Sequence, residues 1–177
     1  ISCQTPLLKG EEQLCTGCRA ALPKTNFHLL PESPLNKIFW GRVAIQQAWA
    51  YLRYSKGGKV QKILHSLKYR DNQAIGWLIG EWYGYDLLAA NHTDFDYIIP
   101  VPLHPSRLRV RGYNQSLLFA QGLSKILQVP YLSDVLDRKF ATSTQTKKAR
   151  YSRWLNVATV FEIQPMAVVL EEKRILL

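Results

Sequence analysis

Three arginines at alternate positions, Arg107, Arg109 and Arg111, stand before Gly112-Tyr113-Asn114-Gln115. A guanidinium carries its N–H donors in a fixed fork that matches phosphate oxygens in pairs. Upstream, Tyr97 to Val101 is a short β-branched run ended by prolines, which predicts a buried strand. Downstream, Asn114 or Ser116 can cap a helix whose apolar face is Leu117, Leu118, Ala120, Leu123, Ile126 and Leu127. The stretch between is expected to be a basic loop with Gly112 as its hinge. Strand, cationic loop and helix N-terminus form a layout that receives anions, because arginines and backbone N–H groups converge there. The competing reading is a solvated basic face.

A second group could hold a metal. Cys15-Thr16-Gly17-Cys18 is a C-x-x-C knuckle, and Cys3 lies a short loop away. Small turn residues between two thiols let both sulfurs face one point, as tetrahedral zinc requires. Cys3, Cys15 and Cys18 would be three ligands of a structural zinc. A cysteine three positions before Cys3 would complete a zinc ribbon, and His28 is the nearby substitute within the chain. Reduced structural cysteines and a redox pair are the alternatives; no βαβ pattern surrounds the motif, which counts against redox.

These groups need a scaffold. The chain has 177 residues, 47% of them hydrophobic, enough for one good core with a small appendage. No run approaches the roughly 18 apolar residues of a membrane span. No signal peptide, low-complexity tract or repeat is evident. The first residue is Ile, and Glu172-Lys173-Arg174 leads into Ile175-Leu176-Leu177, the opening of an apolar strand. A fragment or processed chain is therefore expected.

The formal charge is +10, and it is concentrated. Between Tyr97 and Phe161 ten Lys or Arg face only Asp134 and Asp137. Such a field suggests phosphate, pyrophosphate or nucleic acid as partner.

In order along the chain, Leu22-Pro23 to Pro34 reads as a connector. Trp40 to Tyr54 places Val43, Ile45, Trp49 and Tyr51 on odd positions and predicts a strand. Val60 to Tyr69 predicts a short helix, on which His65 is a surface residue. About Asn72 to Leu88 predicts a second helix, apolar over most of its circumference and hence buried. Trp77 and Trp82 on it are read as core, although they could stack bases. The Asn114 helix should stop at Val129-Pro130. Tyr131 to Leu136 is then a strand that a right-handed crossover places parallel to the first. Arg138 to Trp154 is a long polar, basic loop of the kind that is functional or disordered. Ala158 to Ile163 predicts another strand.

Several of these stretches, in this order, resemble the ComF/GntX group of phosphoribosyltransferase-like proteins, which includes competence protein F. They are Leu14-Cys15-x-x-Cys18 with Leu22-Pro23, then Leu67-Lys68-Tyr69, then Ile99-Pro100-Val101-Pro102. Arg109-x-Arg111-Gly112-Tyr113-Asn114-Gln115, the most specific, follows. Thr144-Gln145 and Arg153-x-x-Asn156-Val157 before Phe161 complete the set.

The resemblance implies an α/β fold: a type I phosphoribosyltransferase-like core over residues 25–177 behind a small N-terminal zinc ribbon over 1–24, with the C-terminal part cut short. It implies that the loop from Pro102 to Asn114 meets the pyrophosphate of phosphoribosyl pyrophosphate, bound with magnesium. Arg107, Arg109, Arg111, Gly112, Asn114 and Gln115 would bind it. Thr144, Gln145, Lys147, Lys148, Arg150 and Arg153 match a mobile hood that closes over the substrate and excludes water. A transferase of this kind, in nucleoside metabolism, would expel pyrophosphate from C1 of the ribose, its charge carried by the arginines.

One departure is plain. Such enzymes hold the ribose 5′-phosphate with two adjacent acids and a Thr/Gly turn after an apolar strand. Glu11-Glu12 and Glu171-Glu172 do not stand in that setting, so activity is not expected of residues 1–177 alone. The resemblance also implies a competence role, beside a helicase-like partner during uptake of single-stranded DNA. In that case the basic segment, with Tyr113, Phe140, Tyr151 and Trp154, would track a strand. Three cysteines without an oxidising context suit the cytoplasm.

Overall fold

The computed structural model describes residues 3, 5–140 and 160–177. Its elements are α1 (Thr16–Ala20), α2 (Lys59–Tyr69), α3 (Gln73–Ala89), β1 (Tyr97–Ile98), α4 (Pro105–Arg111), α5 (Gln115–Leu127), β2 (Leu136–Arg138), β3 (Phe161–Ile163) and β4 (Ile175–Leu176). The architecture is mixed α/β. No helix among the described residues is long and apolar enough to cross a membrane.

The core is built on α3 and α5. Helix α3 starts where the Asn72 side chain accepts a hydrogen bond from the Ile75 N–H at 3.3 Å, a side-chain cap for an otherwise orphaned donor. Ile75 and Leu87 are fully buried, and Leu78, Trp82 and Tyr83 nearly so. Glycine normally costs a helix about 1 kcal/mol. Yet α3 carries Gly76, Gly80 and Gly84 at intervals of four, one stripe along its surface.

That stripe is where α5 crosses. A Cβ on Gly80 would lie 3.1 Å from the Gly122 Cα and inside the shell of the Phe119 carbonyl, and one on Gly84 would lie 2.8 Å from the Ile126 Cβ. The missing side chains let the two backbones touch, and Ala120, Leu123 and Leu127 of α5 then reach the core. At the rim Lys125 pairs with the mostly buried Glu81 at 2.6 Å and lies 4.3 Å over the Trp77 ring. The core reading is borne out for Trp82, which is buried in the main cluster; Trp77 is half-buried at the rim under Lys125 and stands outside that cluster.

Strand β1 pairs in parallel with β4, Tyr97 opposite Ile175 and Ile98 opposite Leu176. On its other side Ile98 bridges to Tyr131, also in parallel. The expected parallel neighbour is therefore present, but only as one bridge. Pro130 has no N–H to give, and Ser133-Asp134 bends the chain. Residues from Leu136 pair instead with β3, antiparallel, Arg138 opposite Phe161. The first strand is likewise shorter than its apolar run, because Pro100 and Pro102 cannot extend a ladder.

The strand expected over Trp40 to Tyr54 does not form. Among the described residues the segment has no ladder partner beyond one antiparallel bridge, Lys24 to Leu52. The buried Asn36 fills that role: its amide donates to Gln47 Oε1 at 3.0 Å and accepts from the Ala48 N–H at 2.7 Å. The period of two places Tyr51 in the core while Trp40, Val43 and Ile45 stay exposed.

Candidate functional site

The residues predicted as a basic loop are in fact helix α4. His104 caps it, accepting from the Ser106 N–H at 3.2 Å, and Pro105 occupies the first turn, where its missing N–H costs nothing. Gly112 ends it with φ +82°, a left-handed conformation that closes a helix, and its N–H donates to the Leu108 carbonyl at 2.7 Å. Gly112 is thus a helix terminator rather than a loop hinge. The helical twist also re-sorts the arginines. Arg107 and Arg111, four apart, share a face, and Arg109 points elsewhere and is exposed.

The motif residues after Gly112 fasten α4 and α5 to the body. Tyr113 is buried, and its hydroxyl donates to the carbonyl of Leu67 at the end of α2. Two of the stretches that carry the family resemblance meet in that one bond. Asn114, not Ser116, is the cap of α5: it accepts from the Ser116 N–H at 3.1 Å and donates to the Val101 carbonyl at 3.0 Å. Arg111 donates to Gln115 Oε1 at 2.7 Å. Gln115 Nε2 is buried and has no hydrogen-bond partner among the described residues.

A cation that sequence reasoning gave to the distal loop joins this group. Arg138 on β2 is half-buried, and burial first and the charge of Arg107 second hold its pKa below the usual range. Nothing local could have shown this, since the two charges are coupled only through the fold. The proposed hood residues Thr144, Gln145, Lys147, Lys148, Arg150 and Arg153 lie outside the described residues.

At the other end, Cys3, Cys15 and Cys18 come together, their sulfurs all within 4.8 Å of one another. Cys15 caps α1, its sulfur accepting from the Cys18 N–H at 3.4 Å, and Cys3 Sγ lies 3.5 Å from Cys15 Sγ. Zn–S bonds of about 2.3 Å in a tetrahedron place sulfurs roughly 3.8 Å apart, so the three thiols fit zinc. The Glu11 carboxylate fixes the loop by accepting from the Thr16 N–H at 2.7 Å and the Leu8 N–H at 2.8 Å, which holds its pKa down. His28 is not the fourth ligand. It is buried edge-on to Tyr83, 5.5 Å between ring centroids, and stands outside the thiol cluster. The knuckle is also no detached appendage, because Leu14, Cys18 and Leu22 share the core of α3.

The Cys3 thiol is exposed, and hydrogen bonds from Thr5, then the neighbouring thiols, lower its pKa to about 6. Metal-free protein should therefore be alkylated by iodoacetamide at Cys3 with an inflection near pH 6, while Cys18, 4% exposed, stays protected. Peptide mass mapping after timed alkylation checks both; equal rates at the two thiols would refute the geometry.

These features define a mixed α/β protein with a thiol cluster packed on its helical core and an arginine-bearing helix beyond the carboxyl end of β1. Known proteins match it over most of its length. The DNA utilization protein YhgH of Escherichia coli (strain K12) is 27% identical over 92% of this chain and 76% of its own. The protein of the same name from Shigella flexneri is 28% identical over the same shares. Competence protein F of Haemophilus influenzae is 39% identical over 66 residues, which are 37% of this chain and 29% of its own. These matches bear out the resemblance to the ComF/GntX group. No family model matches the chain, and no solved structure matches it.

Proposed function

We propose that this protein is a competence-type, phosphoribosyltransferase-like protein. It binds phosphoribosyl pyrophosphate or a related phosphate ligand and assists DNA uptake or utilization in the cytoplasm. The observation that carries the ligand is geometric: Arg107 and Arg111 share one face of α4, and Arg111 bonds Gln115, whose buried Nε2 has no hydrogen-bond partner among the described residues. Guanidinium forks and an amide N–H are donors suited to phosphate oxygens, and Arg138 adds a cation that is electrostatically coupled to Arg107. The position supports the same reading, because open α/β folds bind ligands beyond the carboxyl ends of parallel strands. Phosphoribosyl pyrophosphate would enter as its magnesium complex, and the cations that hold the pyrophosphate would also favour its departure in a transfer. The DNA role rests on the names of the relatives, a DNA utilization protein and a competence protein.

The test is calorimetric titration with magnesium pyrophosphate. Arg107→Ala and Arg138→Ala should each weaken binding by roughly tenfold to a hundredfold, the effect of losing a charge-assisted hydrogen bond. Wild-type affinity in both variants would overturn the reading.

The exposure of Arg109, off the Arg107–Arg111 face, favours a second reading: a basic adaptor for single-stranded nucleic acid or a protein partner, without transferase activity. Salt separates the two. Strand binding weakens steeply with salt, with a slope set by the phosphates contacted, whereas a compact pyrophosphate site depends on magnesium.

A further inference from the structure

Away from the arginine helix, a cleft of about 400 Å³ opens between the cysteine knuckle and α3. Arg19, Lys24, Tyr51, Trp82, Tyr85 and Asp86 line it. Aromatic rings and charges are combined here in a specific way. The Arg19 guanidinium lies 4.6 Å over the Trp82 ring. One face of the guanidinium is therefore occupied, and the residue is itself exposed and lines the cleft. Tyr85 is 56% exposed on the cleft wall, an unusual place for a large ring on a helix whose other aromatic residues are buried or covered. Lys24 pairs with both oxygens of Asp86, at 3.0 and 2.6 Å, and sits 5.6 Å over the Tyr51 ring. An ammonium has three donors, so one remains after Asp86 is served.

We infer that this cleft is a nucleobase subsite. A base stacks on the outer face of Arg19 and against Tyr85, since guanidinium planes and exposed rings are the surfaces on which unpaired bases stack. Asp86 accepts from an exocyclic amine on the base edge, the pairing a carboxylate makes with cytosine. Lys24 offers its remaining donor to the attached phosphate. The local charge is net positive, as a nucleotide requires, yet it includes one acceptor, which a site for bare phosphate would not need. The inference deepens the DNA-handling side of the proposed function and rests on it. It assigns a position distinct from the arginine helix.

Fluorescence anisotropy with a labelled short oligodeoxycytidylate tests it. Arg19→Ala and Tyr85→Ala should each weaken binding about tenfold, the effect of a lost base stack. Tyr85→Phe, which keeps the ring, should bind as wild type, and circular dichroism should show all three variants folded. An abasic oligonucleotide of equal length should bind the wild type about tenfold more weakly than oligodeoxycytidylate and should not respond to either alanine substitution. Competition by cytidine monophosphate, weakened by the same substitutions, would support the subsite and name free nucleotide as the source. Tight wild-type binding that neither alanine substitution alters would overturn the subsite and leave the DNA role standing. No binding of any oligonucleotide or nucleotide to the wild type would overturn both.

Discussion

Gly122→Leu is expected to remove a large part of the stability of this fold. A Cβ at Gly122 would stand 2.7 Å from the Glu81 nitrogen and 2.9 Å from the Gly80 Cα, and would run into the Trp77 carbonyl. All three obstacles are backbone of α3, so no rotamer change can clear them. The helices must separate, and the residues that bury one another across the crossing, Leu78 and Leu123 among them, lose contact together. Overpacking a core costs about 1–3 kcal/mol when side chains can adjust. Here they cannot, and about 3 kcal/mol or more is expected against a total that rarely exceeds about 15 kcal/mol. Urea denaturation followed by circular dichroism reads the effect as a lower midpoint. Two controls rank the sites. Gly76→Ala meets the Leu67 Cδ1 at 2.9 Å, the movable end of a side chain, and should cost less. Gly17→Ala meets nothing within 4 Å and should be neutral. A Gly122→Leu midpoint equal to that of Gly17→Ala would show that the helices do not cross there.

That crossing was only half legible in the sequence. The apolar periodicity of α2, α3 and α5 and the cap at Asn114 or Ser116 located the helices, because caps and period are local properties. The spacing of Gly76, Gly80 and Gly84 was equally visible. It carries meaning only with a partner, and nothing in α3 alone says that Gly122 will face it. Two errors share one cause. Arginines at alternate positions suggested a basic loop, and alternating aromatic and β-branched residues suggested a strand at Trp40 to Tyr54. A period of two reports side-chain alternation but not whether a hydrogen-bonding neighbour exists. Pro105 at a first helical turn and Gly112 at its end were the better signals for α4. The thiol cluster was legible because C-x-x-C fixes two sulfurs by local geometry. The coupling of Arg107 to Arg138 was not, since it depends on how β2 turns away from Tyr131 to pair with β3.

Stripping metal from the knuckle should destabilise the whole body rather than release a loose end. Cys18 is 4% exposed and lies in one cluster with Leu14, Leu22, Tyr51, Trp82 and Leu87. The energy of zinc bound to structural thiolates, on the order of 10 kcal/mol, is folding energy wherever the unfolded chain has no site. If even about 3 kcal/mol of it reaches the core, phenanthroline should lower the melting temperature by roughly 6–12 °C for a domain of this size. Cys18→Ser should match or exceed that loss, because it removes both a ligand and a buried apolar contact. Cys3→Ser, at an exposed position, should cost less. Acid should act like the chelator. The three thiols bind metal as thiolates, and the Cys3 thiol is already ionised above about pH 6 without metal. Protons compete with the metal for every thiolate, so zinc should be lost progressively as pH falls, with the melting temperature falling in step. Metal analysis of the purified protein and melting curves with and without phenanthroline decide the matter. Zinc-free protein whose melting temperature ignores the chelator would make the three cysteines ordinary core and surface thiols. In that case the packing of Leu14, Cys18 and Leu22 on α3 would have to hold the knuckle unaided.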